Sequence, residues 1–297
     1  MKEIGVVINA DTRPGYLDAE TYCSKIGGMG ANGARSVDFM VANVVNKIQF
    51  FRGYDIEVTL YIDFHTALNK QVVDIFGKFL NEGYVDNLII AKHTDTFKGK
   101  KIRQWQDINY LHALTMSKSK YLVHFDADAS AYRRDDCDII ERFKNWVDSG
   151  EYTYISYPTA FSPNEGDVPG ENAYPNPGQE DRPDYLWAST RFFFTKREFL
   201  NYNKFVDLLD DNYWKEAHDG KVYRYPNVTE QILGFMAGSG GVMYAPKNVQ
   251  EYMIFCWHTY HQGTIDKLAP LDYDSVLKYV EETGGVCPPC DVNEKRL

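Results

Sequence analysis

The first half of the chain alternates short apolar runs with longer amphipathic stretches. Glu3–Asn9 (EIGVVIN), Glu57–Ile62 (EVTLYI), Asn87–Ala91 (NLIIA) and Tyr121–Phe125 (YLVHF) have the length and β-branched or aromatic content of strands. Between the first two, Ser36–Phe51 sets Val37, Met40, Val41, Val44, Val45 and Ile48 on one helical face. Leu68–Leu80 does the same with Leu68, Val72, Ile75, Phe76, Phe79 and Leu80, and Ile102–Met116 is a third expected helix. This β-α-β-α-β-α-β order predicts an α/β fold with a parallel sheet. In such sheets ligands bind outside the carboxyl ends of the strands, so the residues just after Asn9, Ile62, Ala91 and Phe125 are the place to look for a site.

The second half is less regular. A helix is expected over Asp135–Ser149, with acids at its start and Gly150 just past its end. Tyr152–Tyr157 and Trp187–Thr195 read as strands. The stretch between them, Ser162–Asp184, is rich in Pro, Gly and polar residues, lacks periodicity and reads as a long loop. Further on, helices are expected over Lys196–Asp211, Asn227–Ala237 and Asp272–Glu282, and strands over Gly241–Ala245 and Met253–Trp257. With no internal repeat and no clear linker, residues 1–297 read as a single domain. It divides into a first half (about 1–130), a second half (about 131–262) and a C-terminal helical tail (about 263–297).

Composition narrows the functions available. At 44% hydrophobic and 25% charged the 297-residue chain is ordinary globular material, and its size needs no staples. The net charge of −10 argues against a nucleic-acid partner, and a diphosphate ligand would need a cation to approach so acidic a chain. The five cysteines are widely spaced. Cys287 and Cys290 form a CPPC without the second pair that a zinc site needs, so plain thiols are expected. MKEIGVVINA enters a strand without a signal-peptide core and no apolar stretch approaches transmembrane length, so a cytoplasmic protein is expected. The abundant aromatics (Tyr 22, Phe 17, Trp 5) serve a filled core or sugar-stacking surfaces.

The strongest chemical signal is YLVHFDADAS, a hydrophobic strand ending in two aspartates, Asp126 and Asp128. At a strand's carboxyl end both carboxylates can face one crevice. Hard oxygen ligands of this kind suit Mg²⁺ or Mn²⁺, which bind phosphate oxygens as well. The bland alternative is a solvated turn.

With these segments in order, the chain resembles the GT-A glycosyltransferases, most closely the inverting family 2 group with its DxD motif. The resemblance implies a three-layer α/β sandwich with a mostly parallel central sheet, its nucleotide-binding half over about 1–130 and its acceptor-side half over about 131–262. It also implies transfer of a sugar from a UDP- or GDP-sugar donor to a glycan or other hydroxyl acceptor. Asn9-Ala10-Asp11-Thr12-Arg13 resembles the family's opening nucleotide-binding strand and loop, and implies that Asp11 and Arg13 contact the nucleotide. Asp63, ending Tyr61-Ile62-Asp63, would accept from the base or ribose, and Arg103 would sit near the base. Asp128 would ligate the metal directly, while Asp126 would reach it through water or would meet the ribose hydroxyls. Plain surface roles for Asp11, Asp63 and Arg103 stay open, as a turn cap or an i,i+4 partner of Asp107.

Three further features bear on the site. His258 and His261 lie in CWHTYHQGT; by the same resemblance His258 is a metal ligand and His261 serves the diphosphate, or either is simply a satisfied histidine. Thr229-Glu230-Gln231 resembles the acceptor-side helix, but the second acid expected there is Gln231, which cannot take a proton. Glu230 is then the candidate base, unless Asn227-x-x-Glu230 is a capping box. Gly27–Gly33 (GGMGANG) begins too far after the first strand for a dinucleotide fingerprint, which excludes a Rossmann dehydrogenase and suggests a loop over the donor. A metal-dependent sugar nucleotidyltransferase and a non-catalytic sugar-binding module are the competing classes.

Overall fold

The computed structural model describes residues 1–10, 37–62, 70–90, 96–97, 100–101, 112–126, 129–150, 152–156, 192–201, 203, 233, 242–244, 253–257, 272, 274–276 and 278. The long Pro- and Gly-rich stretch 162–184, the glycines of 27–33 and the CPPC lie outside the described residues.

Strands β1 (Ile4–Ala10), β2 (Ile56–Ile62) and β3 (Asn87–Ile90) alternate with helices α1 (Val37–Phe50) and α2 (Lys70–Asn81). A small antiparallel pair, β4 (Thr96–Phe97) and β5 (Lys100–Lys101), precedes β6 (Tyr121–Phe125). After β6 come β7 (Ala129–Arg133), helix α3 (Ile139–Asp148), β8 (Tyr154–Ser156), β9 (Phe192–Lys196), β10 (Val242–Tyr244) and β11 (Met253–Trp257). No helix among the described residues is long and apolar enough to cross a membrane.

The central sheet has seven strands in the order β3-β2-β1-β6-β9-β8-β10, and β7 pairs separately with β11. The pairs β1·β2, β1·β6, β2·β3 and β8·β10 are parallel, and β9 alone runs antiparallel to both of its neighbours. The fold is therefore α/β with a mostly parallel central sheet, as the element order predicts.

Alternation along the strands separates the sheet's two faces. Ile4, Val6, Ile8 and Ala10 of β1, Val58, Leu60 and Ile62 of β2, and Tyr121, Val123 and Phe125 of β6 join one apolar cluster. Met40, Val44 and Phe50 of α1, Val72 and Phe76 of α2, and Ile139, Ile140, Phe143 and Val147 of α3 close over it. Both early crossovers step the same way along the sheet, and their shared hand places α1 and α2 on one face. The other face is mixed and also buried: Val7, Leu122 and Phe193 sit there beside Thr59, His124, Thr195 and Ser156, all with little or no exposure. Segment 112–117 lies against that face, where Ser117 comes up to Gly5.

Some expectations shift. The helix expected from Lys196 does not start there: Lys196 ends β9, Arg197–Phe199 forms one 3-10 turn, and Leu200 is extended. Phe192–Lys196 keeps its hydrogen-bond ladder with β6 to the last residue, and that pairing outweighs local helix preference. Strand β7, which local pattern does not announce, exists because β11 pairs with it. Helix α3 starts at Ile139 rather than Asp135, since the Asp138 side chain accepts from Glu141 N and caps it.

Candidate functional site

The chain runs outward from β1 through β2 to β3, then returns to place β6 on the other side of β1. This reversal makes the carboxyl ends of β1 and β6 a topological switch point, the place where an open α/β sheet leaves a crevice for a ligand. Asn9 and Ala10 end β1, and Asp126 directly follows β6. In the parallel register Ile8 lies opposite Phe125, so Asn9 and Asp126 are the next residues of two adjacent strands. Ala10 lies opposite Ile62 of β2.

Asp126 is held through its backbone carbonyl from two directions. Its backbone carbonyl accepts the Ala129 N–H at 3.2 Å, a bond of i to i+3 spacing that draws β7 back toward β6. The same carbonyl accepts from Lys47 Nζ of α1 at 2.5 Å. Its carboxylate Oδ1 lies 3.8 Å from Nε2 of His124, which is fully buried two residues earlier on the same face. The Asp126 side chain keeps 28% of its surface exposed, so it reaches solvent while its backbone is pinned. Beneath it, the Phe125 ring packs against Phe50, Phe51 and Phe192 with centroids 6.1, 6.0 and 5.0 Å away. That aromatic floor fixes where β6 ends.

Helix α1 also grips β7. Asn43 Nδ2 donates to Ser130 Oγ at 3.0 Å, and Ala131 N–H donates to Asn46 Oδ1 at 2.9 Å. Arg52, just beyond the helix, donates to the Arg133 carbonyl and Arg133 donates back to the Arg52 carbonyl. Burial and the neighbouring Arg52 charge lower the pKa of the Arg133 guanidinium.

On its other side β7 pairs antiparallel with β11 over Met253↔Arg133 to Trp257↔Ala129. By chain order the next residues beyond that last pair are His258 and Asp128. At the end of β1, the buried Asn9 Oδ1 has no hydrogen-bond partner among the described residues.

Of the residues singled out from the sequence, the structure brings Asn9, Ala10 and Asp126 to one end of adjacent strands. Asp11, Arg13, Asp63, Arg103, Asp128, Glu230, His258 and His261 lie outside the described residues. Asp11, Asp63 and His258 directly follow described strand ends. No group of three or more His, Cys, Asp or Glu side chains forms a metal cluster among the described residues.

Lys47, Asn43, Asn46 and His124 belong to this region, and sequence reading passes over them. On α1 the polar three read as a solvent face. In fact they are buried, and Val45, counted on the apolar stripe, is 41% exposed. The available signal was their i, i+3, i+4 spacing, which sets them on one side of the helix.

No protein-family model matches the chain, and no curated protein matches it. Among solved structures, one similar chain is a protein named as a nucleotide-diphospho-sugar transferase from Desulfovibrio desulfuricans. It is 12% identical at a TM-score of 0.41, over 83% of this chain and 80% of that one. Another is a mannosyltransferase from Pyrobaculum calidifontis, solved with GDP-mannose and Mn²⁺. It is 12% identical at a TM-score of 0.38, over 83% of this chain and 55% of that one.

Proposed function

We propose that this chain is a metal-dependent glycosyltransferase that moves a sugar from a UDP- or GDP-sugar to an acceptor hydroxyl. The observation that carries the reading is the junction of β6, β7 and β11 at the switch point. Asp126 sits there partly exposed, and the β7·β11 register runs out where the next residues are Asp128 and His258. Two carboxylates and an imidazole form a donor set that suits Mn²⁺, with oxygens alone sufficing for Mg²⁺. The Asn9 Oδ1, an acceptor with no partner among the described residues, supports a polar ligand beside the strand end, one able to donate a hydrogen bond as a ribose or base does.

In this reading Asp128 and His258 hold the cation, and Asp126 reaches it through water or meets the ribose. The cation would neutralise the diphosphate, which an acidic chain could not otherwise hold. Asn9, Ala10, Asp11, Arg13, Asp63 and Arg103 surround the nucleotide, and His261 serves the diphosphate. Glu230 takes the proton of the acceptor hydroxyl as its oxygen bonds to the anomeric carbon. The bond from that carbon to the diphosphate oxygen breaks in the same displacement, leaving the nucleoside diphosphate.

The test is thermal unfolding with UDP or GDP, with Mn²⁺ or with EDTA. Metal and nucleotide together should stabilise by about 3 kcal/mol at a hundredfold excess over Kd, and either alone by much less. Equal stabilisation in EDTA overturns the metal role. Asp128→Asn should fold as the wild type does and lose transfer; a folded variant with normal turnover removes the reading.

A further inference from the structure

We infer that the open edge built by β3 and α2 is where a second copy of this chain docks. β3 is the outermost strand of the sheet. Asp86 N–H donates inward to the Val58 carbonyl at 2.9 Å, so by alternation Asn87 and Ile89 turn their backbone N–H and C=O groups outward. Among the described residues nothing pairs with that side, and the strand, Asn-Leu-Ile-Ile, carries none of the charges or prolines that blunt an edge. The edge is also apolar. Val73, Tyr84 and Ile90, 40%, 56% and 53% exposed, make up half of the exposed large apolar side chains among the described residues.

A glycine on α2 points to a close neighbour that the single chain lacks. Gly77 is in mid-helix, where glycine is destabilising. No atom among the described residues lies within 4 Å of a Cβ built there, so packing inside the chain does not require it. Val73, Gly77 and Leu80 follow one another at i, i+4 and i+7, beside the buried Val72 and Phe76. In a right-handed crossover that flank of α2 lies on the β3 side, away from α1.

A copy related by a two-fold axis perpendicular to the sheet meets both needs. Centred on Leu88, it pairs Asn87 with the partner's Ile89 in antiparallel fashion and keeps both α2 helices on one face. Strands lie about 4.8 Å apart and a crossover helix lies over the strands it joins, so the two α2 axes come roughly 10 Å apart, a packing distance for helices. Gly77 leaves room for that approach. A lone peptide strand would leave Val73 and Gly77 uncovered, which is why the occupant is a copy that brings its own α2. The rim is no obstacle to two chains of net charge −10, because Lys70 and Asp74 there form an ion pair at 2.9 Å. β1 and β6 stand two and three strands away from β3, so the crevices of both copies stay open and face opposite ways.

The test is sedimentation equilibrium on the full chain from ~1 to ~100 µM, with thermal melts at the low end, and wild type should pass from monomer toward dimer over that range. Gly77→Gln, a better helix former with open space around it in the monomer, should melt at or above the wild-type temperature and yet dimerise at least ~10-fold more weakly. Val73→Lys, at an exposed position, should weaken the dimer likewise and leave the monomer's melting temperature near that of wild type. A wild type that stays monomeric at ~100 µM overturns the inference. So does a dimer that either variant leaves intact, which would place the interface elsewhere. A lower melting temperature for Gly77→Gln also overturns it, by placing a neighbour within the chain against that position.

Discussion

Gly5 shows how closely the second face of the sheet is packed. A Cβ built there would lie 2.9 Å from Ser117 Cβ and closer still to Ser117 Oγ. Ser117 is itself buried and donates to Glu57 Oε2, so it has little freedom to withdraw. Gly5→Ala should cost about 1–3 kcal/mol by overpacking, read as a lower urea midpoint with an unchanged slope. Adding Ser117→Ala should restore only part of this, because the Cβ contact remains. A neutral Gly5→Ala would mean that segment 112–117 does not press on β1. The sequence shows only a glycine within a strand, and its reason lies in a neighbour far along the chain.

At the scale of elements, α3 is the helix whose limits local chemistry states best. Asp138 Oδ1 accepts from Glu141 N at 3.1 Å, and Gly150 takes φ +76° just beyond the C-cap Ser149. Asp138 also accepts from the Tyr54 hydroxyl, linking the helix start to the turn after α1. The Tyr54 pKa is pushed up, first by burial and then by that bond. Asp138→Ala should therefore cost about 1 kcal/mol for the lost cap. Asp138→Ser should recover most of it, and Tyr54 in Asp138→Ala should titrate lower while staying above an ordinary tyrosine. An unchanged tyrosine titration, followed by ultraviolet absorbance, would show that the Asp138 link is absent in solution. Strand β7 is the opposite case. Its sequence, ASAYR, is small and polar enough to read as the tail of a turn. Its strand state comes from β11 and from the polar side of α1, partners that no local window contains.

Across the whole molecule, one carboxylate fastens the start of β6 and the end of β9 to the C-terminus of α3. Asp148 accepts from Lys120 Nζ and Tyr121 OH, both at 2.8 Å, and lies 3.6 Å from Lys196 Nζ. A carboxylate at a helix C-terminus opposes the helix dipole, so these partners are what make it tolerable. Burial is the largest single influence on its pKa and pushes upward. The Lys120 and Tyr121 hydrogen bonds, with the two ammonium charges, outweigh it, and the pKa ends below the usual carboxylate value. A depressed carboxyl contributes stability that is fully present above the unfolded value, near pH ~3.9, and is lost as pH falls through the folded value. Wild type should therefore exceed Asp148→Asn by no more than about 1 kcal/mol at pH 7, given the pair's partial exposure. That margin should close as pH falls below ~4 in a series of urea melts. A margin that persists at lower pH would assign the effect of Asp148 to packing.

By itself the sequence determined the alternation of β1, α1, β2, α2 and β3, the mostly parallel α/β class and the apolar strand β6 that ends at the aspartates. Each rests on local periodicity or on turn and cap residues. The order β3-β2-β1-β6, which makes that strand end a switch point beside Asn9, came only from the tertiary structure, because sheet order is a property of long-range pairing. The same holds for the antiparallel insertion of β9 and for the pairing of β7 with β11. Lys47 is the sharpest instance. On a helix in isolation it reads as a solvated charge, and it is buried beside Asp126 because α1 is covered on a second side by β7.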